Sequence, residues 1–229
     1  MIWLRATAKM LIWVAVGIGL CPAIVDARDP GPRSAQVKYS QIDVRLSQDA
    51  IATLTGGTPD QISEAVAGIE ANPAAFNPEV FFALSSSLFD AGKRDQGAFW
   101  FYAGQLRARF DANRCADVEA RQVVRSLTYA YGGKINQYTF QDPDRLEQLL
   151  IRVVDWDRKT PHDYDQRWIN RKWNDYLTKL YHRGKKSAPE PLSLPAEQWE
   201  AIAEETRVTY LKSSLEGLAE YKAEHPRNP

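Results

Sequence analysis

The feature that most constrains this fold is a helix-start signal that recurs along the chain. At four of the places where a threonine, asparagine or aspartate stands directly before a proline, we interpret the pair as a helix start: residues 58–61, 77–80, 142–146 and 160–165. The polar side chain accepts a hydrogen bond from a backbone N–H that the first helical turn leaves unpaired, and proline needs no partner at that position. We therefore predict that a helix begins at each of these four prolines.

Glycines indicate where the predicted helices end. Glycine readily adopts the left-handed conformation that follows the last helical turn. Gly92, the Gly132 and Gly133 pair, and Gly184 each follow a segment with apolar residues at helical spacing. We predict that three helices stop at these points.

Apolar residues at helical spacing mark the rest of the chain as helical. The segments 143–157, 163–182 and 196–223 each carry a continuous apolar stripe, which is typical of an amphipathic helix. Together with the start and stop signals, these stripes predict seven substantial helices and little strand. The predicted fold class is all-α, with helical hairpins in a single domain.

The region before the first cap differs from the rest. We assign residues 28–57 to an N-terminal arm and residues 58–229 to the α-helical domain. A short helix is predicted at residues 49–54 of the arm. Alternating apolar residues predict an extended segment just before it: Ile42, Val44 and Leu46.

Residues 1–27 have the composition of a secretory signal peptide. Basic residues precede an apolar run at residues 10–20, and Val25 and Ala27 stand where a signal peptidase prefers small or β-branched side chains. The apolar run is too short to span a bilayer comfortably. We expect cleavage after Ala27, a periplasmic location and no integral membrane span in the mature chain.

Charge and cysteine content bound the classes of function. The sequence has 29 basic and 29 acidic residues, and this balance argues against a nucleic-acid partner. Cys115 is the cysteine that remains after the predicted cleavage, so no internal disulfide is expected. A chain that is 44% hydrophobic is instead expected to be stabilised by its core, and we expect no cofactor.

Two glycines lie inside a predicted helix, where each costs roughly 0.5–1 kcal/mol relative to alanine. Gly97 and Gly104 are seven residues apart and so share one face of the helix. We expect the backbone of a neighbouring helix to approach this face closely. Residues 77–110 are therefore predicted to form an antiparallel hairpin that turns at Gly92.

The spacing of large and small residues in this hairpin resembles the tetratricopeptide repeat, including its bacterial Sel-type relative. The resemblance covers residues 77–110, without a second copy of comparable quality, and implies a helix pair of the kind that builds protein-binding superhelices. The alternative is an ordinary hairpin in an irregular α-helical domain. The residues that carry the resemblance are Phe81, Leu84, Ser85, Leu88, Gly92, Gly97, Phe101 and Gly104.

The densest group of polar and aromatic side chains lies at residues 155–168, DWDRKTPHDYDQRW. One interpretation is a protein-recognition surface, because tryptophan, tyrosine and arginine dominate interface hot spots. Another is a structural loop in which Asp163 or Asp165 caps the next helix and Arg158 or Arg167 pairs with an acid. The candidate partner-binding residues are Trp156, Asp157, Arg158, His162, Tyr164, Asp165 and Trp168.

A catalytic or metal site is the third interpretation of this segment. His162, Asp163 and Asp165 are residue types that bind metals or transfer protons. The sequence has no second histidine at ligand spacing and no recognised catalytic motif. We therefore expect no catalytic residue and no metal here.

Tyr138 is a further candidate for partner binding. It lies in the segment KINQYTFQ at residues 134–141, between a predicted helix stop and a predicted helix start. The segment is consistent with a projecting loop or with a buried turn.

These observations favour an exported, non-catalytic protein-binding module. A small exported helical protein without catalytic motifs resembles in style the periplasmic immunity proteins that neutralise secreted toxic effectors, such as those of type VI secretion. That resemblance implies another protein as the partner, with a secreted toxic effector as the candidate. An envelope adaptor or assembly factor is an alternative, as is a cell-wall or lipid hydrolase.

Overall fold

The fold is all-α, as predicted. The computed structural model describes residues 36–182 and 187–226. The predicted signal peptide and the predicted stop at Gly184 lie outside these residues. Within the described ranges there are eight α-helices: α1 (Arg45–Gly56), α2 (Pro59–Ala71), α3 (Pro78–Asp90), α4 (Arg94–Arg114), α5 (Gln122–Thr139), α6 (Pro143–Lys159), α7 (Trp168–Tyr181) and α8 (Trp199–Glu224).

Three of the four predicted helix starts are confirmed. Helices α2, α3 and α6 begin at their prolines. Before α2, Thr58 accepts a hydrogen bond from the backbone of Gln61, whose side chain accepts one from the backbone of Thr58. Asn77 and Asp142 accept backbone hydrogen bonds at the other two starts. Local capping therefore determines these boundaries.

Three other boundary predictions are wrong. Pro161 does not begin a helix, because α7 begins seven residues later at Trp168. Gly132 and Gly133 do not end a helix, because α5 continues to Thr139. The helix predicted at residues 49–54 of the N-terminal arm is longer at both ends, since α1 occupies Arg45–Gly56.

The extended segment of the arm is accordingly shorter than predicted. Ile42 and Val44 are buried just before α1, whereas Leu46 lies in that helix and is 55% exposed. A two-stranded antiparallel sheet joins β1 (Gln36–Lys38) to β2 (Ser187–Pro189). In this pairing Gln36 stands opposite Pro189.

The predicted hairpin at residues 77–110 is present, and it forms the centre of the fold. Helices α3 and α4 pack antiparallel, with a turn at Gly92, whose φ of 81° lies in the left-handed region. A Cβ atom at Gly97 would lie 2.7 Å from the carbonyl oxygen of Ser85, and one at Gly104 would lie 3.2 Å from the Phe82 ring. The two glycines therefore permit close approach of the helices, as predicted.

Helix α4 is surrounded by α3, α5, α6 and α8. An aromatic cluster fills the space between α3, α4 and α6, where Trp100 contacts Phe81 at 5.0 Å and Trp156 at 5.4 Å between ring centroids. Trp100 and Trp156 meet edge to face, and aromatic pairs in this geometry add to the stability from apolar burial. Within residues 36–182 and 187–226, no helix is both long enough and apolar enough to cross a membrane.

Candidate functional site

The segment between α6 and α7 is held against the protein interior. Arg107, in α4, donates hydrogen bonds from both terminal nitrogens to the backbone of this segment. Its Nη2 lies 2.7 Å from the carbonyl oxygen of Thr160, and its Nη1 lies 3.1 Å from the carbonyl oxygen of Pro161. Farther along, the backbone N–H of Asp163 donates to the carbonyl of Ala74 at 2.8 Å. These contacts come from distant parts of the chain and explain why no helix begins at Pro161.

Asp157 is the centre of a buried ionic cluster. Its carboxylate accepts hydrogen bonds from Arg107 Nε at 2.9 Å and from Arg207 Nε, in α8, at 2.8 Å. The Arg107 side chain is fully buried, and its guanidinium lies 4.5 Å from the Trp156 ring centroid. His162 Nε2 lies 3.4 Å from Asp157 Oδ1, although its orientation gives it no hydrogen-bond partner among the described residues. The cluster joins α4, α6 and α8.

The ionisation of Asp157 makes part of the stability dependent on pH. Burial alone would raise the pKa of Asp157, but His162, Arg107 and Arg207 outweigh it and lower that pKa to about 2. A carboxylate with a lowered pKa stabilises the fold above its unfolded pKa of about 4 and loses that effect as the pH falls towards the folded value.

We therefore expect a stability loss on acidification from about pH 4 to about pH 2 that is smaller in the Asp157→Asn variant. Urea unfolding of both proteins at a series of pH values measures this difference. The same loss in both proteins would show that other carboxylates account for it.

A second buried carboxylate fixes the start of α7. Asp111, in α4, accepts hydrogen bonds from the Tyr164 hydroxyl at 2.9 Å and from Trp168 Nε1 at 2.7 Å. It also pairs with Arg114 one turn later. Burial, together with the nearby Asp111 charge, raises the pKa of Tyr164. Tyr164 therefore remains a neutral hydrogen-bond donor.

The residues predicted as a recognition surface are thus divided by their exposure. Asp157 and Trp168 are 3% and 1% exposed, so the prediction that they present a surface to a partner is wrong for this fold. Trp156 packs against the core through its ring contacts, and His162 and Tyr164 are only partly exposed. Residues 155–168, which are rich in the residue types of protein interfaces, mainly form contacts that hold α4, α6, α7 and α8 together.

The predicted structural interpretation of this segment is confirmed for its arginines. Arg158 is exposed and pairs with Glu204 of α8 at 2.7 Å. Arg167 pairs with Asp165 at 2.7 Å, and Asp165 also accepts the backbone N–H of Arg167 just before α7. Among the described residues, no three histidine, cysteine or acidic side chains are placed to hold a metal.

Tyr138 lies on the last turn of α5, so residues 134–139 are helical and form neither the projecting loop nor the buried turn that the sequence left open. Its hydroxyl donates to Asp95 Oδ1 at 2.7 Å, and this hydrogen bond raises the pKa of Tyr138. Arg145, at the start of α6, pairs with the same carboxylate. The Tyr138 ring meets Phe89 edge to face at 5.7 Å, and the Arg94 guanidinium lies 5.8 Å from the centroid of each ring.

This cluster borders a groove between α4, α5 and α6, which we call the Tyr138 groove. The groove has a volume of about 160 Å³. Its apolar lining includes Ala98, Leu146 and Leu149, while Arg145 and Arg152 contribute its basic groups. Arg152 is exposed and forms no ion pair with any residue that the structure describes.

Tyr138 is the predicted site residue that the fold places on an accessible groove, and sequence reasoning missed its neighbours. Asp95 and Arg145 are 50 positions apart, so no local motif connects them. The spacing of seven residues between Tyr138 and Arg145 crosses the turn between α5 and α6. The local sequence predicts the turn between α5 and α6, but it does not predict that α4 packs beside this turn.

Comparison with known proteins leaves the family of this chain open. No family model matches the sequence, and no solved structure matches it. The chain is similar to an uncharacterized protein from Haemophilus influenzae, with 29% identity over 101 residues. The matched region covers 43% of this chain and 40% of that relative, so the similarity extends over less than half of either protein.

Proposed function

We propose that this chain is a non-catalytic protein-binding module that contacts its partner through the Tyr138 groove. The observation that carries the proposal is the composition of this surface, where a partly exposed tyrosine and two arginines line an apolar floor and Arg94 lies against the tyrosine ring. Arginine and tyrosine are the residues that most often supply binding energy in protein interfaces, and they do so around apolar pockets that exclude water.

The groove is prepared for such a contact. Tyr138 is fixed by its hydrogen bond to Asp95 and by its edge-to-face contact with Phe89, so little side-chain entropy is lost when a partner binds. Arg152 has no ion pair within the described residues and is available to a carboxylate of the partner. These features support a rigid docking surface.

The specific role that we propose is that of a periplasmic immunity protein, whose partner is a secreted toxic effector. The predicted signal peptide supports export, and the all-α fold with a rigid groove supports binding without turnover. In this role the chain obstructs or distorts the active cleft of the toxin.

The proposal predicts which surface substitutions abolish binding. We expect Tyr138→Ala and Arg152→Glu each to weaken binding of a toxin encoded beside the gene by about thirtyfold, the typical effect of losing an interface hot spot. Co-purification followed by calorimetry measures the change, and rescue of growth from the toxin is the cellular readout.

Arg125→Glu is the matched control, because Arg125 is an exposed arginine of α5 outside the groove. It is expected to bind as the unmodified protein does. Unchanged binding in both groove variants, or a protein that neither binds nor neutralises the neighbouring effector, would overturn the proposal.

A further inference from the structure

The arginines of α4 that reach into the protein interior differ in their partners. Arg107 is buried and pairs with Asp157. Arg114 is buried and pairs with Asp111. Arg109 is also partly buried, yet it forms no ion pair with any residue that the structure describes. Withdrawing a guanidinium group from water is costly unless an anion compensates its charge.

The guanidinium group of Arg109 is held in place from two sides. Its Nη1 donates to the backbone carbonyl of Gln105 at 3.2 Å and to the side-chain oxygen of the same residue at 3.3 Å. The group also lies over the ring of Tyr210, in α8, at 5.2 Å from the ring centroid. Burial lowers the pKa of Arg109, and the Tyr210 hydroxyl acts against this shift.

These contacts leave one edge of the guanidinium group, made of Nε and Nη2, without a hydrogen bond to any described residue. Neither nitrogen is sealed from solvent. The two nitrogens form the side-on fork of arginine, which matches the two oxygens of a carboxylate. The same fork binds a carboxylate elsewhere in this protein, where Nε and Nη2 of Arg167 lie 2.9 and 2.7 Å from the two oxygens of Asp165.

Arg109 lies where α4 and α8 pack together close to the surface. One turn later in α4, the exposed Asn113 donates to Thr206 Oγ1 of α8 at 2.9 Å. The amide of Asn113 carries a second hydrogen, which is a further donor beside the fork. The described residues that make these contacts with Arg109 or beside it are otherwise uncharged, so none of them cancels its charge: Gln105, Asn113, Thr206 and Tyr210.

We propose that the edge formed by Nε and Nη2 of Arg109 binds the carboxylate group of a small organic acid, with one carboxylate oxygen on each nitrogen. The ligand supplies the negative charge that Arg107 and Arg114 receive from aspartates. An arginine that is stacked on an aromatic ring, with its in-plane donors accessible, is suited to planar bidentate recognition of this kind.

This carboxylate site is separate from the Tyr138 groove. Ala98, which lines the groove, precedes Arg109 by eleven residues of the same helix, a distance of roughly 17 Å along the helix axis. The proposed ligand therefore leaves the groove accessible to a protein partner.

Titration of the full chain with sodium acetate tests the proposal. NMR spectroscopy follows the Nε–H signal of each arginine while acetate replaces chloride at constant ionic strength. We expect the Arg109 signal to move and to reach a plateau, because a bound carboxylate accepts a hydrogen bond from this N–H. Arg125 is the matched control, since it is exposed and forms no ion pair with a described residue, and its signal is expected to stay in place.

The stability of variants gives a second measurement. Acetate that binds the folded chain raises its midpoint of thermal unfolding. Arg109→Lys keeps the charge but has no fork, and we expect it to need about tenfold more acetate for the same rise, which is the order of effect of one hydrogen bond to a charged group. Arg125→Lys is expected to respond as the unmodified protein does, and circular dichroism verifies that both variants are folded.

Two results would overturn the proposal directly: an Arg109 signal that acetate does not move, or equal stabilisation of Arg109→Lys and the unmodified protein. Inorganic phosphate is the comparison anion, and a larger effect of phosphate than of acetate at equal concentration would contradict selection of a carboxylate. If Arg109→Lys loses a protein partner while acetate has no effect, Arg109 belongs to a protein interface and the proposal is wrong. Tyr138→Ala is expected to bind acetate normally, so the groove and the carboxylate site are tested separately.

Discussion

Replacing Asp157 with alanine is expected to lower the free energy of unfolding by about 3–5 kcal/mol, the usual cost of removing one partner from a buried ion pair. The substitution leaves the Arg107 and Arg207 guanidinium groups buried without the carboxylate that both of them contact. It also removes a link between α4, α6 and α8. Urea unfolding followed by tryptophan fluorescence measures the loss.

Two further variants separate charge from position. Asp157→Asn keeps the shape and one acceptor, so we expect an intermediate loss. Asp155→Ala is the matched control on the same helix, because Asp155 is exposed and lies 3.5 Å from Arg158, and we expect a change below about 1 kcal/mol. Equal effects of the substitutions at Asp155 and Asp157 would show that the buried cluster has no special part in stability.

The second large effect is expected at Gly97. An alanine there places a Cβ atom 2.7 Å from the Ser85 carbonyl oxygen and 3.0 Å from the Phe89 backbone nitrogen. Both atoms belong to the backbone of α3, so the two central helices must move apart. We expect Gly97→Ala to lower the free energy of unfolding by about 1–3 kcal/mol, despite the better helix propensity of alanine.

Gly133→Ala is the control, and we expect it to change the free energy of unfolding in the opposite direction. Gly133 also lies inside a helix, but a Cβ atom there meets nothing within 4 Å. We expect this variant to be stabilised by roughly 0.5–1 kcal/mol, the propensity difference between the two residues. If Gly97→Ala stabilises the protein as Gly133→Ala does, close helix approach is not the reason for glycine at position 97.

The comparison of predicted and observed helices separates local from distant causes. The starts at Pro59, Pro78 and Pro143 were predictable because each cap bonds to a backbone group within three residues. Pro161 has the same local pattern, yet Arg107 takes the carbonyl groups on either side of it. A contact from more than 50 residues away therefore replaced the helix that local chemistry favours.

Glycine shows the same division. Gly92 ends α3 as its local preference predicts. Gly132 was predicted to end a helix, but α5 passes through it, and a Cβ atom there would lie 2.9 Å from the Phe101 ring. Glycine is required at position 132 because this residue packs closely against α4, just as Gly97 packs closely against α3. The sequence alone separates a glycine that ends a helix from a glycine that allows close packing only where the neighbouring helix can be identified, as for Gly97.

The candidate sites were less predictable than the fold, because burial decides what a polar side chain does. Asp157 and Trp168 have the composition of an interface, and their partners at positions 107, 207 and 111 turn them inward. Tyr138 was named for its residue type, whereas the arginines around it came together only through packing of α4 beside α6. Residue type identified the candidates, and tertiary contacts separated the accessible ones from the buried ones.

The ionic cluster also sets an order of events in biosynthesis. Asp157 is separated by 50 residues from Arg107 on one side and by 50 residues from Arg207 on the other. Arg207 follows Asp157 in the chain, so the carboxylate lacks its second counterion until at least 50 further residues have been made. In a nascent chain that has not reached this length, the buried cluster that joins α4, α6 and α8 is incomplete, so these three helices cannot yet be held together by it.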